Sequence, residues 1–474
     1  MTPEGNLTTG VLIATLMVVI GMTAGLGNRR PAMGLTGVYL LLTWVTHAPG
    51  AIAYMVPWST LPDPAATATG FRWCWVGMAS FLAGSLILGR LLMHTAQGGG
   101  IAATPMAGWR RWPAFYLILG LLIMVGVGSL LAGVPSISAV LGAVSNLLVV
   151  GLIMLVWRAG KEQGRMKMLA VASWALLVPV FGVGTSGFLS FGAATLAIVI
   201  GVVAQFYRPR WAVWLALPVV FYLGLSVFVT YTRDKVAIRE VVWFGDSQMK
   251  KIARVIETFS DFELVDLRNP DHLGYLDARL NQNFLIGLAV HRLQSGEMDY
   301  LRGTSLLNAL AAPVPRVLWP NKPVVAGGMG LAGEWTGMTF AEGTSVGLGH
   351  VMELYVNFGH FGVVLGFALL GGMLRWLDFQ GARRLLAGDY SGAMFFMLLG
   401  IPFLNVGGGS IELFGSCAAG LVLAVALRKG ESFIFRVLGV SPVSVRRQAD
   451  QDKQSEAWKA PRPSPPAAAT GKPD

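Results

Sequence analysis

Long apolar runs dominate this sequence and are separated by short polar segments. Runs of about 18 or more apolar residues recur, each long enough to cross about 30 Å of hydrocarbon as a helix. The pattern predicts an all-α polytopic membrane protein with about eleven transmembrane helices. We place them at residues 9–27, 33–56, 72–93, 113–132, 138–157, 169–185, 190–207, 211–230, 351–374, 391–405 and 410–427. Glycine-rich breaks leave the boundaries within 169–207 and 391–427 open.

Composition agrees with the apolar pattern. Hydrophobic residues make up 54% of the chain and charged residues only 13%, and the mean hydropathy is +0.60. A soluble chain of 474 residues could not bury this much apolar surface in one or two cores. The two cysteines, Cys74 and Cys417, lie within predicted helices. They indicate small buried side chains, and they imply neither a disulfide nor a metal site.

The basic residues of the short loops predict the orientation. Most of them follow odd-numbered helices: Arg29, Arg30, Arg110, Arg111, Arg158, Lys161, Arg165, Lys167, Arg208, Arg210, Arg375, Arg383 and Arg384. Basic loops stay in the cytoplasm, so we expect a periplasmic N-terminus and a cytoplasmic C-terminus in a bacterial inner membrane. Arg72 is the main exception. The net charge of +11 then belongs to cytoplasmic flanks in contact with membrane lipids, and it does not indicate nucleic-acid binding.

The predicted chain has four parts. Residues 1–230 form a membrane domain of about eight helices, 231–350 a periplasmic loop, 351–430 about three more helices, and 431–474 a largely disordered tail. The first apolar run lacks a basic start and a cleavage site, which indicates a retained anchor. A loop of about 120 residues is too long to be only a connector.

The two halves of the loop differ in composition. The first half is rich in charge and predicts two amphipathic helices, near residues 250–259 and 276–294. The second half is rich in Gly, Pro and Trp, and such backbone must line a polar cavity or lie at the membrane interface. Its ionisable residues are functional candidates: Arg302, Arg316, Lys322, Glu334, Glu342 and His350.

Three segments of this region resemble a known family. They are residues 300–308 (YLRGTSLLN), 313–323 (PVPRVLWPNKP) and 353–359 (ELYVNFG). Their pattern is similar to that of bacterial O-antigen and exopolysaccharide repeat-unit polymerases, the Wzy-type family. The detailed similarity covers only about 60 residues, although many helices with one long late periplasmic loop also fit the family.

The resemblance implies a membrane glycosyltransferase of GT-C-like architecture that works without metal or other cofactor. It would transfer a growing glycan from undecaprenyl pyrophosphate to the sugar end of a new lipid-linked repeat unit, with inversion, on the periplasmic face. A chain-length regulator and a flippase are implied partners. A ligase that moves a finished glycan to another acceptor needs the same chemistry, and the sequence does not separate the two.

A pyrophosphate leaving group needs fixed positive charge, and the planar fork of arginine suits phosphate. We rank Arg316 first, followed by Arg302, Lys322 and Arg72. The structural alternative is that these residues anchor the loop to lipid headgroups or form salt bridges. Trp319 lies inside the motif and is the best candidate for stacking on a sugar. The other tryptophans near predicted outer boundaries are typical of an aromatic belt: Trp58, Trp73, Trp75 and Trp335.

The acceptor hydroxyl needs a general base. Glu353 and His350 lie one turn apart at the predicted outer end of a helix and can share a face. Glu353 could instead favour the N-terminus of its own helix through the dipole. Weaker candidates for the base are Glu334, Glu342 and Glu412. His47, beside a proline, and His360 fit packing roles better than catalytic ones.

Two other classes of protein are compatible with the chain. A transporter or flippase of lipid-linked glycans would place ionisable residues near the bilayer midplane, within discontinuous helices. The predicted spans are nearly free of acids, which favours an enzyme. A non-catalytic scaffold is the third possibility. The sequence has no Walker loop, nucleophile elbow or metal-ligand cluster.

Overall fold

The computed structural model describes residues 3–27, 32–96, 111–124, 135–186, 189–206, 210–244, 248–311, 313–314, 319, 328–341, 344 and 346–437. These residues form helices and loops, with no strand among them, so the all-α prediction is confirmed. The α-helices are α1 Pro3–Gly27, α2 Leu35–Ala53, α3 Pro64–Ala96, α4 Trp112–Leu122, α5 Pro135–Arg158, α6 Arg165–Ala172, α7 Leu177–Ser186, α8 Ser190–Phe206, α9 Arg210–Phe244, α10 Gln248–Ser260, α11 Pro270–Leu280, α12 Gln282–Gln294, α13 Thr304–Ala311, α14 Gly328–Thr336, α15 His350–Leu386, α16 Tyr390–Gly400 and α17 Ser410–Val437.

The apolar helices make this a membrane protein. Within the described ranges, eight helices are long and apolar enough to cross a membrane, judged by length and composition. Three shorter apolar helices accompany them: Trp112–Leu122, Ser190–Phe206 and Tyr390–Leu404. The eight and the three fall on the eleven apolar runs of the sequence. The number that cross the bilayer, and the orientation of the termini, stay predictions.

Of three predicted segments, two differ from the observed helices and one is confirmed. Helix α9 continues beyond residue 230 to Phe244, so the first residues of the predicted loop extend an apolar helix. The helix at 250–259 is confirmed as α10, which covers Gln248–Ser260. The helix predicted over 276–294 is interrupted at Asn281, whose backbone lies at φ −128° and ψ 65°, and this residue separates α11 from α12.

Helix α15 folds back on itself at Gly359. This residue has φ 61° and ψ −145°, which are not helical values. Leu354 Cδ2 approaches the position of a β-carbon at Gly366 to 2.7 Å, whereas twelve residues of straight helix span about 18 Å. A β-carbon at Gly362 would overlap the Leu354 carbonyl oxygen. We call residues 350–358 the short arm and residues 360–386 the long arm.

The long arm lies at the centre of the membrane domain, packed along α3. The two helices approach so closely that a β-carbon at Gly84 would overlap the Ala368 carbonyl oxygen. Near the start of α3, helix α12 crosses at a similar distance, because a β-carbon at Gly70 would overlap the Asn283 carbonyl oxygen. Small residues permit such contacts between membrane helices. Helix α12 of the predicted loop therefore packs directly on α3.

The fold-back places the start of the short arm in the interior, which corrects the expectation that His350 and Glu353 lie at the outer end of a straight helix. The His350 side chain contacts Tyr39 of α2. The Tyr39 ring stacks on Phe81, close to the middle of α3, with ring centroids 4.3 Å apart. Both His350 and Glu353 are buried.

The opposite end of the long arm also carries buried charge. Asp378 is fully buried and accepts hydrogen bonds from the backbone N–H groups of Met33 (2.6 Å) and Gly34 (3.1 Å), just before α2. Arg375 lies 3.6 Å from the Asp378 carboxylate. The sequence prediction placed Arg375 in a cytoplasmic loop. It lies instead inside α15, because the helix continues to Leu386.

Candidate active site

The bend at Gly359 leaves carbonyl groups at the end of the short arm without their helical partners. A separate segment supplies the missing donors. The Leu301 N–H donates to the Val356 carbonyl oxygen (2.9 Å), and the Arg302 N–H donates to the Asn357 carbonyl oxygen (3.1 Å). Two of the three sequence segments that carry the family resemblance are thereby in direct contact.

Side chains continue this contact towards Glu353. The Gly303 N–H donates to Asn357 Oδ1 (2.9 Å), and Asn357 Nδ2 donates to Ser305 Oγ (2.7 Å). Ser305 Oγ in turn donates to Glu353 Oε1 (3.1 Å). The Ser410 N–H donates to Glu353 Oε2 (2.6 Å). Glu353 therefore caps the N-terminus of α17, in addition to its favourable position in the first turn of its own helix. Each of its carboxylate oxygens can still accept one more hydrogen bond.

His350 lies one turn before Glu353 on the same arm but contacts a different element. Its Nδ1 is 2.9 Å from the Tyr39 hydroxyl oxygen. Its Nε2 is buried and has no hydrogen-bond partner among the described residues. A buried polar atom without a partner is costly and therefore points to a ligand or a water at that position.

Two glycine-rich segments cross beside the short arm. The Gly349 N–H donates to the Gly407 carbonyl oxygen (3.1 Å), and Gln282 Nε2 lies 3.4 Å from the same oxygen. Gln282 Oε1 is buried and lacks a partner within the described part of the chain. A β-carbon at Gly349 would lie 2.6 Å from this oxygen, so the crossing requires glycine. The site is thus bordered by α12, α13, α15 and the start of α17.

Basic and aromatic residues surround the bend. Arg302 is exposed and has a left-handed backbone, with φ 49°. Such a conformation is strained for a residue with a β-carbon. The exposed Arg72 guanidinium lies 5.4 Å from the Trp73 ring centroid, and Trp73 is 5.0 Å from Tyr355. Tyr355 interacts in turn with Tyr300, two residues before Arg302. The structure therefore places Arg72 beside an aromatic group that reaches Tyr300, and the Arg302 backbone bonds to the short arm next to this group.

A network of ion pairs joins the later part of α9 to α11 and to the segment before it. Arg233 bonds to Asp234 at 2.9 Å and to Glu263 at a shorter distance, and His272 Nε2 lies 3.2 Å from Glu263. The hydrogen bonds from Arg233 and His272 hold the pKa of Glu263 below its usual range. In contrast, burial raises the pKa of Asp277 on α11.

Three predicted site residues, Arg316, Lys322 and Glu342, are outside the described residues. Two others lie on the surface. Trp319 is 41% exposed, and Glu334 is exposed on α14, where its carbonyl oxygen accepts from Arg292 (2.6 Å).

The remaining candidates occupy packing positions or lie beside the site. His47 Nδ1 is 2.7 Å from Asn283 Oδ1 in a buried contact between α2 and α12, and His360 stacks loosely on Trp73 with ring centroids 6.4 Å apart. Glu412 lies in the first turn of α17, near Gly408. Among the described side chains, no group of three or more His, Cys, Asp or Glu could hold a metal ion.

Sequence reasoning did not single out four residues of the site: Tyr39, Gln282, Ser305 and Asn357. Ser305 and Asn357 fall inside the quoted motif segments, so the polar positions of the motif were an available signal. Tyr39 and Gln282 lie in unrelated parts of the chain and reach the short arm only through its fold-back.

A family model described as a domain of unknown function, DUF8712, matches residues 67–414. The match covers well over half of the chain. The protein belongs to this family. No curated protein and no solved structure matches it. The matched region includes Arg72, Arg302 and both arms of α15, whereas Tyr39 lies outside it.

Proposed function

We propose that this protein polymerises lipid-linked oligosaccharide repeat units at the periplasmic face of a bacterial inner membrane. The observation that carries the proposal is the contact between residues 301–305 and the short arm. These segments are about 50 residues apart in sequence, and both belong to the pattern shared with repeat-unit polymerases. A pattern whose separate parts meet around a buried carboxylate is more informative than the same residues scattered over the surface.

In the proposed reaction, the acceptor hydroxyl oxygen forms a bond to the anomeric carbon of the donor glycan. The bond from that carbon to the pyrophosphate oxygen breaks, and its electron pair leaves with undecaprenyl pyrophosphate. The proton of the acceptor passes to a general base. Glu353 suits this role because its neighbours Ser305 and Ser410 both donate to it, so it is held as an acceptor.

Negative charge that develops on the pyrophosphate needs fixed positive charge nearby. Arg302 and Arg72 are the described arginines on the surface around the bend, and both are exposed. Arg316 and Lys322 stay candidates from the sequence for the same role. The aromatic rings of Trp73 and Tyr300 both adjoin Tyr355 and offer faces on which a pyranose could stack.

One observation favours a second candidate, a transporter or flippase of lipid-linked glycans. Helix α15 is discontinuous, and its short arm starts in the interior beside the break between α16 and α17. Discontinuous helices with ionisable residues at depth are typical of transport sites. Polymerisation remains the preferred function because two of the three motif segments, residues 300–308 and 353–359, meet at this site.

The test is the lipid-linked glycan profile of cells that lack the protein, complemented at matched expression with wild type or Glu353→Gln. We expect wild type to restore long polymer, and Glu353→Gln to accumulate single repeat units on the outer leaflet. Glu297→Gln is the matched control, because Glu297 is an exposed glutamate beside Arg292. It should behave as wild type.

Other profiles would identify other functions. Repeat units trapped on the inner leaflet would identify a flippase, and long lipid-linked polymer that is never passed to its final acceptor would identify a ligase. Polymer of normal length that is attached to its final acceptor in cells without the protein would exclude all of these functions. Arg316→Ala in the same assay examines the basic residue that the sequence ranks first.

A further inference from the structure

The Tyr39 phenol and the His350 imidazole form a hydrogen-bonded pair inside the protein. The two ring planes are within 5° of parallel, with centroids 6.0 Å apart, and the hydroxyl oxygen is 2.9 Å from Nδ1. Tyr39 is 1% exposed and stacks on Phe81. Packing therefore fixes the orientation of the phenol, and the hydrogen bond fixes that of the imidazole.

The chemistry of the two groups decides which one donates. A neutral phenol and a neutral imidazole each carry one hydrogen, and the phenolic O–H is the more acidic donor, while an imidazole nitrogen is the stronger acceptor. The nearby Thr43 hydroxyl already donates to the Tyr39 carbonyl oxygen (2.8 Å). Thr43 therefore does not supply a hydrogen to the phenol oxygen, and donation from the phenol to Nδ1 leaves the ring hydrogen of His350 on Nε2.

We infer that Tyr39 is a positioning residue that holds His350 with its hydrogen on Nε2, so that His350 donates a hydrogen bond to an oxygen of the substrate. Nε2 is buried, lies on the other side of the ring from the bond to Tyr39 and has no partner among the described residues, so this donor lacks an acceptor there. The identity of that oxygen, on a glycan or a phosphate, rests on the proposed function. The assignment leaves Glu353 as the base and removes His350 from that role.

The direct test is ¹⁵N NMR of the full-length protein in nanodiscs, labelled in its histidine rings. The chain has only six histidines, and His350→Gln identifies the His350 resonances by their loss. We expect the wild type to show a protonated Nε2 and an unprotonated Nδ1. Tyr39→Phe should shift His350 towards a mixture of tautomers. A wild-type His350 protonated on Nδ1, or a Tyr39→Phe spectrum identical to wild type, would overturn the inference.

Tyr54→Phe is the matched control. Tyr54 follows α2 and donates its hydroxyl hydrogen to the Pro62 carbonyl oxygen (2.9 Å), away from His350. Its replacement should leave the His350 resonances unchanged. The resonances of His47, which bonds to Asn283, report whether α2 is still correctly folded in each variant. A Tyr39→Phe protein that keeps the His47 signals and changes only those of His350 supports positioning rather than general damage.

An activity measurement adds a second readout. With purified protein and lipid-linked repeat units, Tyr39→Phe should lower kcat about tenfold at unchanged KM, the size expected when one buried hydrogen bond is lost. An unchanged kcat would contradict the positioning role. If the wild type makes no polymer, the proposed function fails, yet the NMR experiment still decides the tautomer. The two failures are therefore distinguishable.

Discussion

Helix α15 carries a buried carboxylate near each of its ends, and the two carboxylates differ in what surrounds them. Asp378 accepts from backbone N–H groups just before α2, and Glu353 accepts from the first N–H of α17. Both therefore satisfy donors at the start of another helix, where a negative charge is favourable. Asp378 also has Arg375 beside it, whereas the hydrogen-bond partners of Glu353 in the described part of the chain are neutral.

The different surroundings of the two carboxylates indicate different roles, structural for Asp378 and functional for Glu353. A buried carboxylate next to a guanidinium is a closed ion pair, and its main consequence is that neither partner can be removed alone. A buried carboxylate held only by neutral donors is more costly, and such groups within membrane proteins mark functional sites. Asp378 therefore has a structural role, because it links α15 to the start of α2. Glu353 likewise links α15 to the start of α17, but it lies near polar atoms that have no partner among the described residues, such as His350 Nε2.

The largest expected effect is on stability, from Asp378→Asn. The amide can still accept from Met33 and Gly34, but Arg375 loses its counter-charge in a buried environment. Breaking a buried pair in this way costs about 3 to 5 kcal/mol. Thermal unfolding in nanodiscs measures the loss. Arg375→Met in the Asp378→Asn background should recover most of it, because no charge then remains unpaired. A single variant as stable as wild type would show that the pair is not closed.

Glu353→Gln should have a small effect on stability and a large effect on activity. The glutamine amide oxygen can accept from Ser410, and its NH2 group can donate to Ser305 Oγ, so we expect a stability within about 1 kcal/mol of wild type. Loss of the base should lower polymerisation by a factor of about 10² to 10⁴. The same purified variants, measured by thermal unfolding and by glycan length, check both numbers. If Glu353→Gln were destabilised as much as Asp378→Asn, the two carboxylates of α15 would both have structural roles.

Variants of Arg302 distinguish the effect of its strained backbone from the effect of its positive charge. Arg302→Gly relieves the left-handed backbone, worth about 1 kcal/mol, although glycine loses a comparable amount through its greater freedom when unfolded. The melting temperature should therefore stay close to that of wild type, while polymer length falls because the guanidinium is lost. Arg302→Lys retains a positive charge and should keep more activity than Arg302→Gly. Equal activity in both variants and wild type would assign Arg302 a structural role only.

The sequence predicted the apolar helices well and the bend in α15 not at all. Periodicity and length identify membrane helices, but Gly359 is one of 60 glycines, and nothing local distinguishes it. The motif named Glu353 and Arg302, and it contained Ser305 and Asn357. Tyr39 is 311 positions from His350, a distance that no local pattern bridges. Asp378 lies beyond residue 374, the predicted end of this span, and the sequence did not single it out.

The smallest expected effect concerns the partly exposed ion pair of Glu263 and Arg233, in contrast to the buried pair of Asp378 and Arg375. Glu263 is 40% exposed and bonds to Arg233 and His272, which lower its pKa in the folded state. A lowered folded pKa gives stability that is present above the unfolded pKa of about 4.3 and is lost as pH falls through the folded value.

Melting temperatures of wild type and Glu263→Gln measured between about pH 7 and pH 3 should therefore converge as the pH falls. The difference at neutral pH should correspond to less than about 1 kcal/mol, because solvent screens an exposed pair. Arg233 keeps its bond to Asp234 in the variant, so helices α9 to α11 should stay folded. A constant difference across the pH range would show that Glu263 stabilises this region without its charge. A difference as large as that for Asp378→Asn would mean that exposure does not weaken ion pairs in this protein.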